Sequence, residues 1–181
     1  MRIISGSARG RRLKEPVGLE IRPTSDMVKE SIFNIIQFDI EGRRVLDLFA
    51  GTGQMGIEAL SRGAKSAAFV DSGSDAIKLI HNNLKLCAFS ESAAVYRRDA
   101  MKFLESRDEA YDLIFIDPPY DTGLVSAAIE KIIRFDKLSV NGIIICETRA
   151  EQLLPAVSPP YLLHKSYRYG GVKITRYTRE Y

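Results

Sequence analysis

The chain has 181 residues, of which 45% are hydrophobic and 27% charged, which fits one globular domain with a substantial core. Its apolar runs, such as Ile143–Cys146, fall far short of the roughly 20 residues of a membrane-spanning helix. The N-terminus also lacks the apolar segment of a secretory signal. We therefore expect a cytoplasmic protein with no membrane partner and, because no strongly apolar surface is evident, a monomer. Cys87 and Cys146 lack metal-binding spacing, so we expect free thiols and no metal site.

The formal net charge of +3 is unevenly distributed along the chain. Residues 1–14 hold five basic groups and no acid, and residues 161–181 hold five more against one acid, Glu180. Basic ends on an acidic body indicate a surface for a polyanion, provided that both ends fold to one side. A solvated charged face accounts for the same distribution equally well.

The first forty residues predict a small basic hairpin followed by a helix. The stretch "RIISGSARGRRLKEPV" has the pattern of two short strands around "GSARG". Pro23 then precedes three good helix N-cap residues, and apolar residues recur at helical spacing through "SDMVKESIFNIIQF". We expect an amphipathic helix there.

From residue 44 onward, short strands alternate with helices, which predicts a mostly parallel sheet with helices on both faces. The predicted strands are 44–49, 66–71, 93–98, 111–117 and 142–148. The predicted helices are 54–62, 74–86, 100–106 and 124–134. The tail differs, because 161–170 and 172–181 flank Gly170–Gly171 and predict a closing antiparallel hairpin.

Four polar motifs follow predicted strands of this sheet. They are "DLFAGTG", "VD", "RRDA" and "DPPY". In open sheets of this type, ligands bind beyond the carboxyl ends of the strands. We therefore expect one binding site that uses all four motifs.

The glycine motif and its acidic neighbours predict the cofactor. "GTGQMG" opens a predicted helix, and Asp71 follows Gly51 by twenty residues, as in a site for a nucleotide with its ribose. Asp47 would repel a pyrophosphate but suits the positive amino-acid end of a ligand. Asp99 can accept a hydrogen bond from an adenine amine. The set fits S-adenosylmethionine, whereas an NAD-dependent oxidoreductase leaves Asp47 and "DPPY" unexplained.

"DPPY", residues 117–120, predicts a rigid corner that follows the strand and binds an amine through hydrogen bonds. Asp117 and the Pro118 carbonyl can accept from two N–H groups, and Pro118 and Pro119 offer no competing donor. Rigid placement of the reacting nitrogen supplies much of such a rate gain. Tyr120 can stack on a base, so phenylalanine should replace it. Similar loops serve guanine, adenine in DNA or RNA, and protein glutamine, so the corner alone does not select the acceptor.

Nearly the whole chain resembles the bacterial RsmD family of 16S rRNA guanine-N2 methyltransferases. "VLDLFAGTGQMGIEAL", "RRDAMKFL" and "DPPY" resemble class I S-adenosylmethionine-dependent methyltransferases, and "SGSARGRRL" with "RPTSDMVKESIFNII" selects the family. The resemblance implies a Rossmann-like class I methyltransferase fold with a seven-stranded sheet. It also implies transfer of a methyl group from S-adenosylmethionine to guanine N2 in 16S rRNA, within a small-subunit or partly assembled ribosomal particle.

The resemblance also implies roles for individual residues. Asp117, Pro118, Pro119 and Tyr120 would be catalytic. The cofactor would contact Asp47, Phe49, Ala50, Gly51 and Gly53 on its methionine side, Asp71 at the ribose, and Asp99 and Ala100 at the adenine. From the basic charge of the hairpin, we expect Arg9, Arg11 and Arg12 to contact RNA phosphates, and Arg22 and Thr24, in the family-like "RPT", to lie near the cofactor or the target. We expect residues 1–23 to form an RNA-contacting hairpin and residues 24–181 the methyltransferase domain.

Overall fold

A computed structural model describes residues 1–16, 26–106 and 109–181. A seven-stranded sheet forms its centre. The strands are β1 (Arg44–Leu48), β2 (Ser66–Asp71), β3 (Ala93–Arg97), β4 (Tyr111–Ile116), β5 (Leu138–Arg149), β6 (Tyr161–Tyr169) and β7 (Val172–Arg179). The helices are α1 (Asp26–Ile35), α2 (Gln54–Ser61), α3 (Ser74–Cys87), α4 (Ala100–Ser106) and α5 (Leu124–Arg134), with a short 3₁₀ helix at Ser90–Ser92.

The sheet has the strand order β3-β2-β1-β4-β5-β7-β6. The first five strands in this order are parallel to one another, and β7 is antiparallel to both β5 and β6. This arrangement confirms the predicted, mostly parallel sheet with an antiparallel hairpin at its end. No helix among the described ranges is long and apolar enough to cross a membrane.

Alternation along the strands divides the core into two layers. In β4, Leu113 and Phe115 belong to the cluster that includes α1, α2 and α3, whereas Ile114 and Ile116 belong to the cluster with α4 and α5. Successive side chains of a strand point to opposite faces of a sheet. The near-continuous apolar run of this strand therefore reflects burial on both faces.

The strand β5 is longer than the sequence predicts. It begins at Leu138, four residues before the predicted start at Gly142. The intervening "SVN" has a turn-like composition, and Asn141 has a φ of 59°. Leu138 nevertheless pairs with Tyr111, and the register shifts before Leu113. The strand thus tolerates an irregular residue that sequence pattern alone assigns to a turn.

The N-terminal segment packs against the body of the sheet domain. Ile3, Ala8 and Leu13 are buried in the cluster that includes α1, α2 and α3. A single antiparallel bridge joins Arg2 and Arg12. The predicted hairpin therefore consists of one bridged residue pair and not of two extended strands. The predicted domain boundary at residue 23 lies outside the described residues.

A buried carboxylate anchors this segment. Glu58 of α2 is fully buried and accepts hydrogen bonds from the backbone N–H groups of Ile4, at 2.8 Å, and Ser5, at 3.0 Å. The Nε of Arg62 also donates to Glu58, at 2.9 Å, and the Nζ of buried Lys29 lies 3.9 Å from it. These contacts satisfy a charge that would otherwise be costly to bury.

We predict that Gly56→Ala destabilises the fold. A Cβ at Gly56 would lie 2.4 Å from Cε1 of Phe69, a ring that is completely buried. Alanine should gain about 1 kcal/mol of helix propensity, but overpacking costs about 1–3 kcal/mol. Urea denaturation should show a net loss of stability. Gly171→Ala is the control, because a Cβ there meets no described atom within 4 Å; equal stability of both variants would contradict the prediction.

Candidate active site

The glycine turn links β1 to α2 at the carboxyl edge of the sheet. Phe49, Gly51 and Gly53 all have positive φ angles, of 67°, 56° and 77°. Glycine adopts such angles without strain, whereas phenylalanine does so at a cost. A Cβ at Gly51 would meet no described atom within 4 Å, so the backbone is open to a ligand there. Ala50, by contrast, is buried, and its N–H donates to the Val70 carbonyl at 2.9 Å.

Asp47 lies beneath this turn and is only 3% exposed. Its Oδ2 accepts a hydrogen bond from the Gly56 N–H at 2.8 Å. Burial raises the pKa of Asp47 to about 8, with smaller upward contributions from the charges of Asp117 and Asp71 and an opposing one from the Gly56 N–H. A neighbouring positive charge would favour its ionised form. The environment of Asp47 is therefore suited to a cationic ligand group.

Asp71 ends β2 and holds two turns together. Its Oδ2 accepts from the Gly51 N–H at 2.9 Å, and its Oδ1 accepts from the Gly73 N–H at 2.8 Å. Gly73 is the residue before α3. A carboxylate has about four lone-pair sites, so these two bonds leave it able to accept from ligand hydroxyl groups.

Asp99 follows β3 and is the residue before α4. Its Oδ1 accepts from the Lys102 N–H at 3.0 Å, which is the hydrogen bond of a helix N-cap. The side chain is exposed, whereas Ala100, the first residue of α4, is buried in the cluster that includes α5. Asp99 thus has a structural role that the sequence prediction of an adenine contact did not include.

The corner Asp117–Tyr120 leaves β4 directly beside the glycine turn. Ile116, the last residue of β4, pairs with Leu48 of β1. Asp117 and Tyr120 are half-buried, Pro118 is buried and Pro119 is exposed. The Thr122 hydroxyl donates to the Pro119 carbonyl at 2.9 Å, which fixes the turn that follows.

Two residues of β5 contact this corner. The Tyr120 hydroxyl donates to Oε1 of Glu147 at 2.5 Å, and Glu147 is only 6% exposed. The Arg149 guanidinium lies 5.1 Å from the centre of the Tyr120 ring. Its Nε also donates to Oδ2 of Asp121 at 2.8 Å. Sequence reasoning missed both residues, although the predicted strand 142–148 places its last residues at the same edge.

The sheet arranges these groups in a row along one edge. In strand order, Asp99 follows β3, Asp71 ends β2, Asp47 and the glycine turn belong to β1, Asp117 follows β4, and Glu147 lies near the end of β5. Adjacent strands are about 4.8 Å apart, so the row from β3 to β4 spans about 14 Å. An elongated ligand can lie over the glycine turn with one end at the Asp117–Tyr120 corner.

Arg9 and Arg11 lie away from the glycine turn, whereas Arg12 pairs with Arg2 beside Met1, whose Sδ accepts from the Thr52 hydroxyl of that turn at 3.6 Å. The Ser7 N–H donates to the carbonyl of Ser61, the last residue of α2, at 2.8 Å. The Arg11 guanidinium donates to the Leu86 carbonyl near the end of α3. Both helices begin at the carboxyl edge, so Ser61 lies about 10 Å and Leu86 about 18 Å down their helix axes from that edge.

Two of the predicted RNA contacts lie outside the described residues, and a third, Arg11, already forms a hydrogen bond within the protein. Arg22 and Thr24 belong to the undescribed range 17–25. Arg9 and Arg12 are exposed and form no ion pair with another described residue, whereas Arg11 contacts the end of α3. Arg9 and Arg12 are therefore the better candidates for a phosphate contact.

The basic C-terminal residues are mostly paired within the chain. Arg168 contacts Glu151 at 2.5 Å, Arg176 contacts Asp39 at 3.3 Å, and Arg179 contacts Asp136 at 2.5 Å. These pairs neutralise much of the positive charge that the sequence places at this end. The C-terminal hairpin is therefore a weaker candidate for a polyanion surface than its composition suggests.

A buried amide that sequence reasoning also missed connects the site to the N-terminal segment. Asn83 of α3 is completely buried. Its Nδ2 donates to the carbonyls of Thr52, at 3.0 Å, and Lys14, at 3.1 Å, while its Oδ1 accepts from the Lys14 N–H at 2.7 Å. Asn83 thus fixes the glycine turn and the N-terminal segment relative to each other. The helical pattern of 74–86 marks the residue as helical but does not show these distant partners.

This sheet order, with a glycine turn after β1 and "DPPY" after β4, defines a Rossmann-like class I methyltransferase. A family model described as "Conserved hypothetical protein 95" matches residues 1–178. Ribosomal RNA small subunit methyltransferase D of Escherichia coli is 34% identical over 180 residues, covering 99% of this chain and 90% of that protein. The chain belongs to this family, the RsmD family.

Other similar proteins agree with this assignment. A Bacillus subtilis protein is 41% identical over 182 residues, which cover 99% of both chains. A solved Escherichia coli structure has a TM-score of 0.90 and 32% identity, covering 100% of this chain and 98% of that one. The similarity therefore includes the N-terminal segment as well as the sheet domain, and the predicted family resemblance is confirmed.

Proposed function

We propose that this protein transfers a methyl group from S-adenosylmethionine to the N2 amine of a guanine in 16S rRNA of the small ribosomal subunit. The observation that carries the proposal is the pairing of β1 with β4, which sets the glycine turn beside the Asp117–Tyr120 corner. The name of the Escherichia coli relative, a ribosomal RNA small subunit methyltransferase, supports the substrate.

The residues at the carboxyl edge fit S-adenosylmethionine. Gly51 leaves its backbone open to a ligand, and Asp47 offers a buried acid for a cationic amino group. Asp71 can accept from ribose hydroxyls, and Asp99, although it caps α4, is exposed and retains acceptor capacity for an adenine amine. When bound, the cofactor supplies an electrophilic methyl group on a sulfonium.

The corner contributes orientation to the reaction. A guanine amine is a poor nucleophile because its lone pair is delocalised into the ring. Asp117 and the Pro118 carbonyl accept from its two hydrogens and hold the nitrogen in line, and neither proline offers an N–H to the lone pair. Asp117 then holds the proton that the methylated nitrogen sheds. Tyr120 stacks on the base, and such stacking contributes about 1–3 kcal/mol.

The target base must be unpaired or flipped out, because the corner cannot reach an amine inside a duplex. A small-subunit or partly assembled particle is the proposed substrate, with ribosomal proteins presenting the base. Arg9 and Arg11 would contact phosphates at some distance from the flipped base, since their loop lies down the axes of α2 and α3, and Arg12 would do so nearer the glycine turn.

Methyl transfer to purified ribosomal components tests the proposal. The protein is incubated with labelled S-adenosylmethionine and either small-subunit particles lacking the modification or naked 16S rRNA, and the product is mapped by mass spectrometry. We expect one N2-methylguanine in 16S rRNA, formed faster in the particle. Label in adenine, in protein or in neither substrate would contradict the proposal.

We predict that Arg9 and Arg12 contribute to RNA affinity. Replacing both with alanine should weaken binding and reduce the slope of log affinity against log salt by about 1–2, because each phosphate contact contributes about 0.7–0.9. Arg134→Ala is the control for loss of one positive charge, since Arg134 ends α5 on the face of the sheet opposite α2 and α3. Filter binding at several salt concentrations measures the slopes. A slope equal to that of the wild type would show that Arg9 and Arg12 do not contact RNA phosphates.

A further inference from the structure

Tyr120 contacts two residues of β5, one through its hydroxyl and one through its ring. Its hydroxyl donates to Glu147 at 2.5 Å, and the Arg149 guanidinium covers its ring at 5.1 Å from the centre. Glu147 and Arg149 are two positions apart in a strand, so their side chains leave the same face of the sheet. Both therefore approach Tyr120 from one side.

The strand that carries these residues is a rigid support. In β5, Glu147 pairs with Ile174 and Arg149 with Val172 of β7, while Cys146 pairs with Ile116 of β4. The Tyr120 loop has no such regular pairing, because two prolines precede it. Contacts with the paired strand β5 therefore fix the position of the Tyr120 loop.

A carboxylate as buried as Glu147 is expensive for the fold. Burial of a charge costs free energy unless hydrogen bonds compensate, and a hydrogen bond to a charged group is stronger than one between neutral groups. The Arg149–Asp121 pair is exposed on both sides, at 57% and 65%, so it contributes little by itself. The hydrogen bond from the Tyr120 hydroxyl joins Glu147 to the loop.

We propose that Glu147 and Arg149 are positioning residues for methyl transfer, which set the plane of the Tyr120 ring so that a base stacks on the face opposite Arg149. This inference rests on the proposed function, because the stacked base is the substrate of that reaction. It assigns the Tyr120 hydroxyl a role and reverses the expectation that phenylalanine replaces tyrosine at this position. Glu147 and Arg149 need not touch the reacting atoms.

Substitutions at Glu147 separate positioning from folding. Glu147→Gln keeps an oxygen that accepts from the Tyr120 hydroxyl, and Glu147→Met removes it at similar volume. We expect Glu147→Met to lower kcat about 10- to 100-fold, with little change in the affinity for S-adenosylhomocysteine. Glu147→Gln should restore most of the rate. A merely structural residue would instead change thermal stability and leave kcat intact in the folded fraction.

A double-mutant cycle with Tyr120→Phe tests the pair directly. If the hydroxyl acts through Glu147, Tyr120→Phe and the double variant with Glu147→Met should have about the same kcat as Glu147→Met alone. Additive losses, or a wild-type kcat in Glu147→Met, would overturn the inference while leaving the proposed function standing. If the wild-type protein transfers no methyl group to small-subunit particles, the proposed function fails first and the inference fails with it.

Discussion

Asp117→Ala is expected to reduce methyl transfer by about 10³-fold or more, the upper range for a group that positions and moves a proton. The binding of S-adenosylhomocysteine should be nearly unchanged. Asp117 follows β4 and is half-buried, and its charge contributes to the raised pKa of Asp47. Its removal makes Asp47 easier to ionise, so the binding of a cationic amino group does not weaken.

Single-turnover kinetics and calorimetry together measure this division of roles. Asp117→Asn is the matched variant, because it keeps one oxygen that can accept from the amine but cannot take up a proton. Activity in the Asn variant well above that of the Ala variant would identify orientation as the main contribution. Loss of S-adenosylhomocysteine binding in Asp117→Ala would contradict the proposal that Asp117 binds the target amine and not the cofactor.

Asp47→Asn should stabilise the free protein and weaken cofactor binding. Burial, together with the charges of Asp117 and Asp71, raises the pKa of Asp47 from an ordinary value of 3.8 to about 8. The folded state therefore binds more protons than the unfolded state between these values, and the contribution of Asp47 to stability falls as pH rises from about 4 to about 8. Asparagine lacks this charge but can still accept from the Gly56 N–H.

The expected gain at pH 7 is about 1–3 kcal/mol in the free energy of unfolding. Affinity for S-adenosylhomocysteine should fall about 10- to 100-fold, the usual cost of losing a hydrogen bond to a charged group. Urea denaturation at pH 5, 7 and 8.5 should show that the stability difference between variant and wild type grows with pH. A variant that is less stable at every pH and binds the cofactor normally would contradict this role.

Proton release provides a second test of Asp47. If a cationic amino group ionises this buried acid, binding at pH 7 should release close to one proton from the wild-type protein and fewer from Asp47→Asn. Calorimetry in buffers of different ionisation enthalpy measures the number. Equal proton release by both proteins would place the titrating group elsewhere.

The alternation of strands and helices allowed most of the fold to be predicted. β2, α4 and α5 have the predicted boundaries, since each combines a clear apolar period with a flanking turn. The start of β5 was not predictable, because its pairing with Tyr111 overrides the turn-like residues around Asn141. Tertiary pairing of this kind outweighs local composition.

The site was predictable where one motif follows one strand, and not where distant segments meet. Asp47, Asp71 and Asp117 all lie at the expected edge, because the carboxyl ends of parallel strands share it. The contact of Glu147 with Tyr120 joins residues 27 positions apart, and no sequence period marks it. The burial of Asp47 and the placement of the arginine loop at the ends of α2 and α3 depend on packing in the same way.

A crystal structure with S-adenosylhomocysteine would show whether the cofactor lies over the glycine turn with its reacting end at the Asp117–Tyr120 corner. We expect the amino-acid end of the ligand at Asp47, its ribose at Asp71, and its sulfur facing the corner formed by Asp117 and Tyr120. A ligand bound in the reverse direction, or with its sulfur turned away from that corner, would contradict this expectation.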